Sequence, residues 1–367
     1  MTKPLKNVYI SSIYQNAGKT TVALGLYKLF IERRLKTAFL KPVGQQTVPI
    51  GKVNIDKDSY LIGEVYHCRR RFKEMSPVTI PPGYTQKYIF NPQRDELRGR
   101  IRRSFNKLIK GEDVIIIEGT GHAGVGSVVD LSNADVAKML GSKVLIVAEG
   151  GIGRSIDEIM LNKALFDLLG VEILGVIINK VIPEKYDKVS KTLRQGLKNK
   201  GIRLLGVIPM DPILRDPTVE RLMTKFGLKL LCGGRENLHQ RIRNTIIAAM
   251  EPENMVNYIS DGTLILTSGD RVDNIMVAVS SHLIMQGKRT RVAGLILSGG
   301  LVPDTKIMDL LKKSQIPVLM SEDDTYTIAG KIERFICKIE KNDKEKIIEA
   351  RQLVKKYVDV NGILSNL

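Results

Sequence analysis

From residue 6 to residue 210 the chain alternates short apolar, β-branched runs with longer amphipathic segments, and this constrains the fold more than any other feature. The runs are "NVYISSI" (7–13), "TAFLKPV" (37–43), "DVIIIEG" (113–119), "KVLIVAE" (143–149), "ILGVIIN" (173–179) and "LLGVIP" (204–209). Helix-like stretches lie between them, among them 19–33, 155–169 and 186–198. Strands apolar on both faces, separated by helices, predict a parallel sheet covered on both sides, an α/β fold. Right-handed crossovers then gather the loops at the strand carboxyl ends on one edge of the sheet. The polar signals of the sequence fall in those loops.

After "GVIPMDPILRDPT" (206–218) the alternation pauses over a polar stretch. A second series starts near residue 261 with "GTLILTSGD" (262–270), "RVAGLILSGG" (291–300) and "IPVLMSEDD" (316–324), and predicts a smaller α/β domain. The charged segment 341–358 reads as a closing helix. The expected division is residues 1–215, 216–335 and a helical tail, 336–367. Two domains suit a chain of 367 residues.

"YISSIYQNAGKTTVALGLYKLF" (9–30) joins a strand to a helix through Asn16-Ala17-Gly18-Lys19-Thr20-Thr21. This is the tail of G-x-x-x-x-G-K-[ST], with Ile13 where the first glycine would stand and Ser12 before it. Gly18 lets the backbone approach a phosphate, and the helix N-terminus favours the anion. Lys19 suits the β and γ phosphates, and the Thr20 hydroxyl suits magnesium. The bland alternative is a packing turn.

Further candidates stand at other strand ends. Lys41 precedes Pro42, which stops strand pairing, and can neutralise a transferring phosphoryl group or orient a substrate carboxylate. In "NIDKDSYL" (54–61), Asp56 and Asp58 are candidate magnesium ligands or a helix cap. "DVIIIEGTGHAG" (113–124) has the Walker B layout, an apolar strand delivering Glu118 to the metal edge; Gly119 and Gly121 turn the chain and His122 follows as a loop or substrate contact. Asn179 in "GVIINKVIP" can pair with a purine edge or serve as a turn residue.

The net charge is +18, and residues 94–110 hold seven basic residues against two acidic ones. A basic helix can track a phosphate backbone. With no tryptophan and 5% aromatic residues for base stacking, a solvated basic face that partly balances bound nucleotide is favoured over nucleic-acid binding. Three scattered cysteines without C-x-x-C spacing predict thiols in a reducing compartment. "MTKPLKNVYISS" lacks the apolar core of a signal peptide, and no run reaches membrane-spanning length, so a cytoplasmic protein away from membranes is expected.

Together these motifs resemble the dethiobiotin synthetase-like branch of P-loop proteins. That branch has G-K-T, then K-P-V, then an aspartate seventeen residues after that lysine, the interval Lys41 and Asp58 keep. E-G-x-G follows, here Glu118 to Gly121, and then an adenine-side asparagine in N-K, here Asn179. The resemblance spans 6–210 and implies ATP, with Mg2+ on Thr20, Asp58 and Glu118 and the phosphates on Lys19 and Lys41. The second half resembles a DRTGG domain: "TSGDRVDNIMVAV" (267–279) keeps Asp270-Arg271 of the name-giving motif, whereas Val272 departs from it. The implied architecture is a P-loop parallel sheet with helices on both faces followed by a smaller α/β DRTGG domain. The amino-terminal regulatory part of long phosphate acetyltransferases is built this way, as are stand-alone proteins similar to cobyrinic acid a,c-diamide synthase.

Two main activities follow from the resemblance. One is ATP-dependent phosphorylation and ligation of a carboxylate or carbamate; the other is a non-catalytic or slowly hydrolysing nucleotide sensor acting on a partner such as an acetyl-phosphate enzyme. An RNA-associated ATPase rests on charge alone. A small-molecule substrate or effector is expected but not identified, and a homodimer is left open. A glutaminase built on Cys232 and His239 is disfavoured by their spacing, and a partitioning ATPase by Tyr14 in place of its signature lysine.

Overall fold

The six apolar runs of the first half form one parallel sheet of six strands in a computed structural model that describes residues 5–284 and 292–367. Its strands are β1 (Lys6–Ser12), β2 (Thr37–Leu40), β3 (Val114–Glu118), β4 (Lys143–Glu149), β5 (Ile173–Val181) and β6 (Leu204–Pro209), in the order β6-β5-β4-β1-β3-β2. Every pairing is parallel. β1 therefore lies between β3 and β4, which leave in opposite directions across the sheet. That is the switch point at which open α/β sheets bind ligands. Register completes the edge: Ile10 pairs with Glu118, Ser12 with Val147, and Glu149 with Asn179.

The helices used below are α1 (Lys19–Glu32), α2 (Lys57–Val65), α3 (Arg94–Leu108), α4 (Gly153–Leu168) and α5 (Tyr186–Lys198). Their apolar stripes join the strand side chains in one core, in which Val8, Ile10, Leu24, Ile116 and Ile146 are fully buried. Pro42 does end β2 at Leu40; pairing resumes with another partner, since Val43–Gly44 lies parallel to Val78–Thr79. A hairpin of Thr47–Ile50 and Val53–Asp56 then leads into α2.

The second unit, Arg215–Lys338, has a five-stranded sheet of β7 (Lys229–Cys232), β8 (Asn244–Ile247), β9 (Thr263–Ser268), β10 (Val292–Ser298) and β11 (Val318–Met320), ordered β7-β11-β10-β9-β8. Only β7 runs antiparallel among the described pairings of this sheet. Helices α6 (Val219–Phe226) and α9 (Thr325–Glu333) cover one face, where Leu222 and Ile328 meet Leu264 and Leu266; α7 (Val272–Ile284) and α8 (Thr305–Ser314) cover the other, where Ile275 and Leu311 meet Ile265. The polar stretch after residue 214 is thus no linker. It supplies α6 and the edge strand β7 to this sheet.

The carboxyl-terminal segment does not stand apart as a third element. The first unit comprises Met1–Leu214 together with Ile339–Leu367. Helix α10 (Lys344–Tyr357) lies so close to α1 that a Cβ on Gly25 would come within 2.4 Å of Val354 Cγ2. Asp359 N–H then donates to Leu205 O at 2.7 Å, and Arg351 pairs with Glu32 at 2.7 Å.

Candidate nucleotide site

β1 ends at Ser12, and the loop to α1 keeps a left-handed backbone at Asn16 (φ 66°) and Gly18 (φ 104°). Ile13, at the place of the missing glycine, has no positive φ; it bonds to Val147 O through its N–H and is buried in the core. Nothing at that position requires glycine. At Gly18 the requirement is strict, because a Cβ would also sit 2.0 Å from Asn179 Nδ2. No side chain caps the first turn of α1, whose N–H groups are therefore available to an anion.

Behind the loop Lys19, 7% exposed, donates to Ser12 Oγ at 2.8 Å, and Ser12 Oγ in turn donates to Tyr14 O at 2.6 Å. Thr20 Oγ1 lies 2.9 Å from Glu118 Oε1 and 3.2 Å from Asp58 Oδ1. Lys41 Nζ is 2.7 Å from Asp58 Oδ2, 3.1 Å from Gly119 O and 3.5 Å from Glu118 Oε1. Residues 19, 20, 41, 58 and 118, far apart in the chain, thus meet in one polar cluster beside the loop.

The electrostatics follow from burial. Glu118 is 1% exposed; burial, with Asp58 adding, pushes its carboxyl up to about 7 against the pull of Lys41 and Lys19. Burial alone would lower the Lys41 ammonium, but Asp58, Glu118 and Asp56 outweigh it and its pKa moves above the ordinary lysine range. Glu118 Oε2 is buried without a hydrogen-bond partner. A carboxylate oxygen in that state is costly unless a cation or donor completes it.

Asp56 and Asp58 divide the two roles left open for them. Asp56 caps α2, accepting from Asp58 N–H at 2.9 Å, and burial followed by the neighbouring Asp58 charge pushes it up to about 6. Asp58 is the one that faces Lys41 and Thr20. Asn179 is 5% exposed and gives its Nδ2 to Ala17 O at 3.0 Å, so in this state it braces the loop backbone. Gly119 and Gly121 lie in the turn after β3, where a Cβ on Gly119 would meet Asn133 Oδ1 at 2.5 Å. His122 is exposed and accepts from Gly124 N–H through Nδ1. Thr21 is in the first turn of α1. Asp270 and Arg271 belong to the second unit, where Arg271 pairs with Asp273 at 2.8 Å. There too Cys232 ends β7, while His239 sits 3.3 Å from Glu220.

Several residues that shape the site carry no motif. Asn133 accepts from Tyr9 OH and Thr120 N–H and donates to Thr120 O and His122 O, which fixes the loop after Glu118. Glu149 receives Tyr14 OH and, at 2.5 Å, Lys180 Nζ; Lys180 also reaches Asn16 O at 2.7 Å. The phosphate loop is therefore clamped from β4 and β5. Glu149 closes an apolar strand just as Glu118 does, so the same signal points to it.

Residues 6–218 match a family model described as an AAA domain, and residues 221–335 match one described as a DRTGG domain. The chain belongs to the AAA domain family. This AAA domain protein is 28% identical over 371 residues to a phosphate acetyltransferase of Nitratidesulfovibrio vulgaris, covering 98% of this chain and 51% of that one. A phosphate acetyltransferase of Pseudomonas putida is 27% identical over 97% of this chain and 51% of its own length. The chain spans about half the length of the curated relatives it matches. A putative plasmid partition protein of Borrelia burgdorferi, solved bound to AMPPNP, is 17% identical, with a TM-score of 0.40 over 58% of this chain and 90% of that one. The AAA domain and DRTGG domain follow each other in the order the sequence predicts. No helix among the described residues is long and apolar enough to cross a membrane.

Proposed function

We propose that the first unit binds magnesium–ATP. The observation that carries this reading is the cluster of Thr20, Asp58 and Glu118, in which Glu118 Oε2 is buried with no partner. Magnesium at a nucleotide takes one or two carboxylates and fills its remaining positions with water and phosphate oxygens. Two carboxylates and a hydroxyl fit that pattern. They form no closed cage, and no group of three or more His, Cys, Asp or Glu suited to a metal occurs among the described residues. When bound, the metal would neutralise phosphate charge and polarise the γ-phosphoryl group.

The chain's own residues supply the rest. The α1 N-terminus and Lys19 hold the phosphates, with Lys19 kept in place by Ser12. Lys41 stands beside the metal ligands and brings a positive charge that stabilises a transferring phosphoryl group or orients an anionic acceptor. The chemistry so equipped is phosphorylation of a carboxylate or carbamate, followed by its closure on, or coupling to, an amine.

A second reading is favoured by one observation: the likeness to phosphate acetyltransferases covers 98% of this chain, both units included. On that reading the chain is a nucleotide-responsive module for an acetyl-phosphate enzyme. One experiment separates the two. Titration calorimetry with magnesium–ATP measures binding, and phosphate release is followed with and without carboxylate acceptors. Binding with acceptor-dependent turnover supports ligation, binding without turnover supports the sensor, and no binding refutes both.

A further inference from the structure

Residues 69–110 hold twelve basic residues against three acidic ones, which is half of the chain's net charge of +18. Eight of the twelve are arginine, although lysine outnumbers arginine in the chain as a whole. Guanidinium groups pair with phosphate oxygens in a two-pronged geometry that ammonium groups lack.

Helix α3 sets the face. Leu97, Ile101, Phe105 and Leu108 are buried in the first unit's core, so Arg102, Arg103, Asn106 and Lys110 point outward. The turn-and-helix before it continues the same surface: Arg71 reaches Leu108 O and pairs with Glu112, and Lys107 pairs with Glu74. Arg102, Arg103, Lys110 and the neighbouring Lys73 are exposed and form no ion pair among the described residues. These four cations outnumber the exposed carboxylates of α3, Asp95 and Glu96, which stand in its first turn.

We infer that this face binds the phosphate backbone of duplex DNA without reading its sequence. Three features of the outward positions of α3 choose that partner; the exposed Ile89 and Phe90 lie in the preceding helix, Tyr84–Phe90, outside those positions. Protein interfaces have an apolar core depleted of charge, and the outward positions of α3 offer no apolar side chain. Single-strand binders stack bases on aromatic rings, and these positions offer no aromatic one. An interfacial membrane helix needs a free apolar stripe, and that of α3 is spent on the protein's own core. A surface rich in arginine and unpaired charge is what a duplex backbone takes.

The inference is independent of the nucleotide site and is tested on the full chain. Fluorescence anisotropy is read with a labelled mixed-sequence duplex of about 30 base pairs; with roughly four phosphates neutralised, affinity should fall about a hundred-fold between about 50 and 200 mM salt. Reversing Arg102, Arg103 and Lys110 to Glu should abolish binding, and Arg102→Ala with Arg103→Ala should weaken it and flatten the salt slope. A control with Lys188, Lys191 and Lys198 changed to Glu removes the same charge from exposed positions of α5 and should leave most of the affinity intact. Melting curves establish that each variant is folded. Equal losses in both triple variants would mean that only the overall field is felt and would overturn the inference. Binding to phosphatidylserine vesicles without duplex binding, or binding indifferent to salt, would overturn it as well.

Discussion

Lys41 Nζ lies 2.7 Å from Asp58 Oδ2 and 3.5 Å from Glu118 Oε1, so a single buried ammonium faces both carboxylates that flank Thr20. The pairing explains how two acids stay side by side in a nearly dry site. It also places Lys41 beside the residues proposed to hold magnesium.

Lys19→Ala should weaken magnesium–ATP binding by about 10- to 100-fold, since a charged hydrogen bond contributes about 1.5–3 kcal/mol. Calorimetry at fixed magnesium checks this. Identical isotherms for variant and wild type would remove the phosphates from this loop.

Glu118 gives a pH dependence. Its carboxyl lies near 4.5 when unfolded and is pushed up to about 7 by burial first and by Asp58 second. The folded form therefore holds the proton more tightly, and this contribution to stability declines as pH rises from about 4.5 to about 7. In chelator at pH 8, Glu118→Gln should melt several degrees above wild type and lose the Glu118 part of the pH slope, leaving that of Asp56, because about 1–3 kcal/mol of buried charge is relieved. The same variant should lose the magnesium-dependent part of ATP binding. Equal melting of both proteins at pH 8 would mean that the carboxylate is already fully compensated.

Asp56 and Asp58 should separate in mutagenesis. Asp56→Ala removes the cap of α2 and should cost about 1–2 kcal/mol of stability while nucleotide affinity stays near wild type. Asp58→Asn should do the reverse, keeping the fold and losing metal-dependent affinity. Paired denaturation curves and ATP titrations decide, and the opposite ranking would reassign the ligand.

A fragment ending at Leu214 lacks α10 and exposes the side of α1 that Ala350 and Val354, both fully buried, otherwise cover. It should be insoluble or melt well below the full chain, and joining 339–367 to it through a flexible linker should restore folding. Val354→Ala should cost about 1–3 kcal/mol in the full chain. A stable, cooperatively melting 1–214 fragment would show that the helix is dispensable.

Arg271→Ala distinguishes the sensor reading. If the second unit responds to nucleotide, the variant should shift ATP affinity several-fold in the full chain, within the usual coupling of about 1–3 kcal/mol. Unchanged titration curves would leave ligation as the better account.

The sequence by itself determined the strands, their parallel class and the identity of the charged strand ends. Apolar runs such as "KVLIVAE" and "LLGVIP" are bounded by the residues where strands 143–149 and 204–209 begin and end, because burial on both faces leaves no other conformation for them. Glu118 was legible because an unmatched charge after an apolar strand requires a partner, Lys19 because G-K-T joins a strand to a helix, Lys41 because it stands at a strand end before Pro42, and Asp58 through the interval that the resemblance implies. Which partner was a tertiary matter. That Asp56 caps a helix while Asp58, two residues on, faces Lys41 depends on how the hairpin delivers α2 to the sheet edge. Asn133 was invisible for the same reason, since its four hydrogen bonds exist only once the loop after Glu118 folds over it. The return of α10 to α1 lay furthest from what pattern could show. Amphipathic periodicity states that a helix has an apolar face, and only long-range packing, here against Gly25, decides what that face covers.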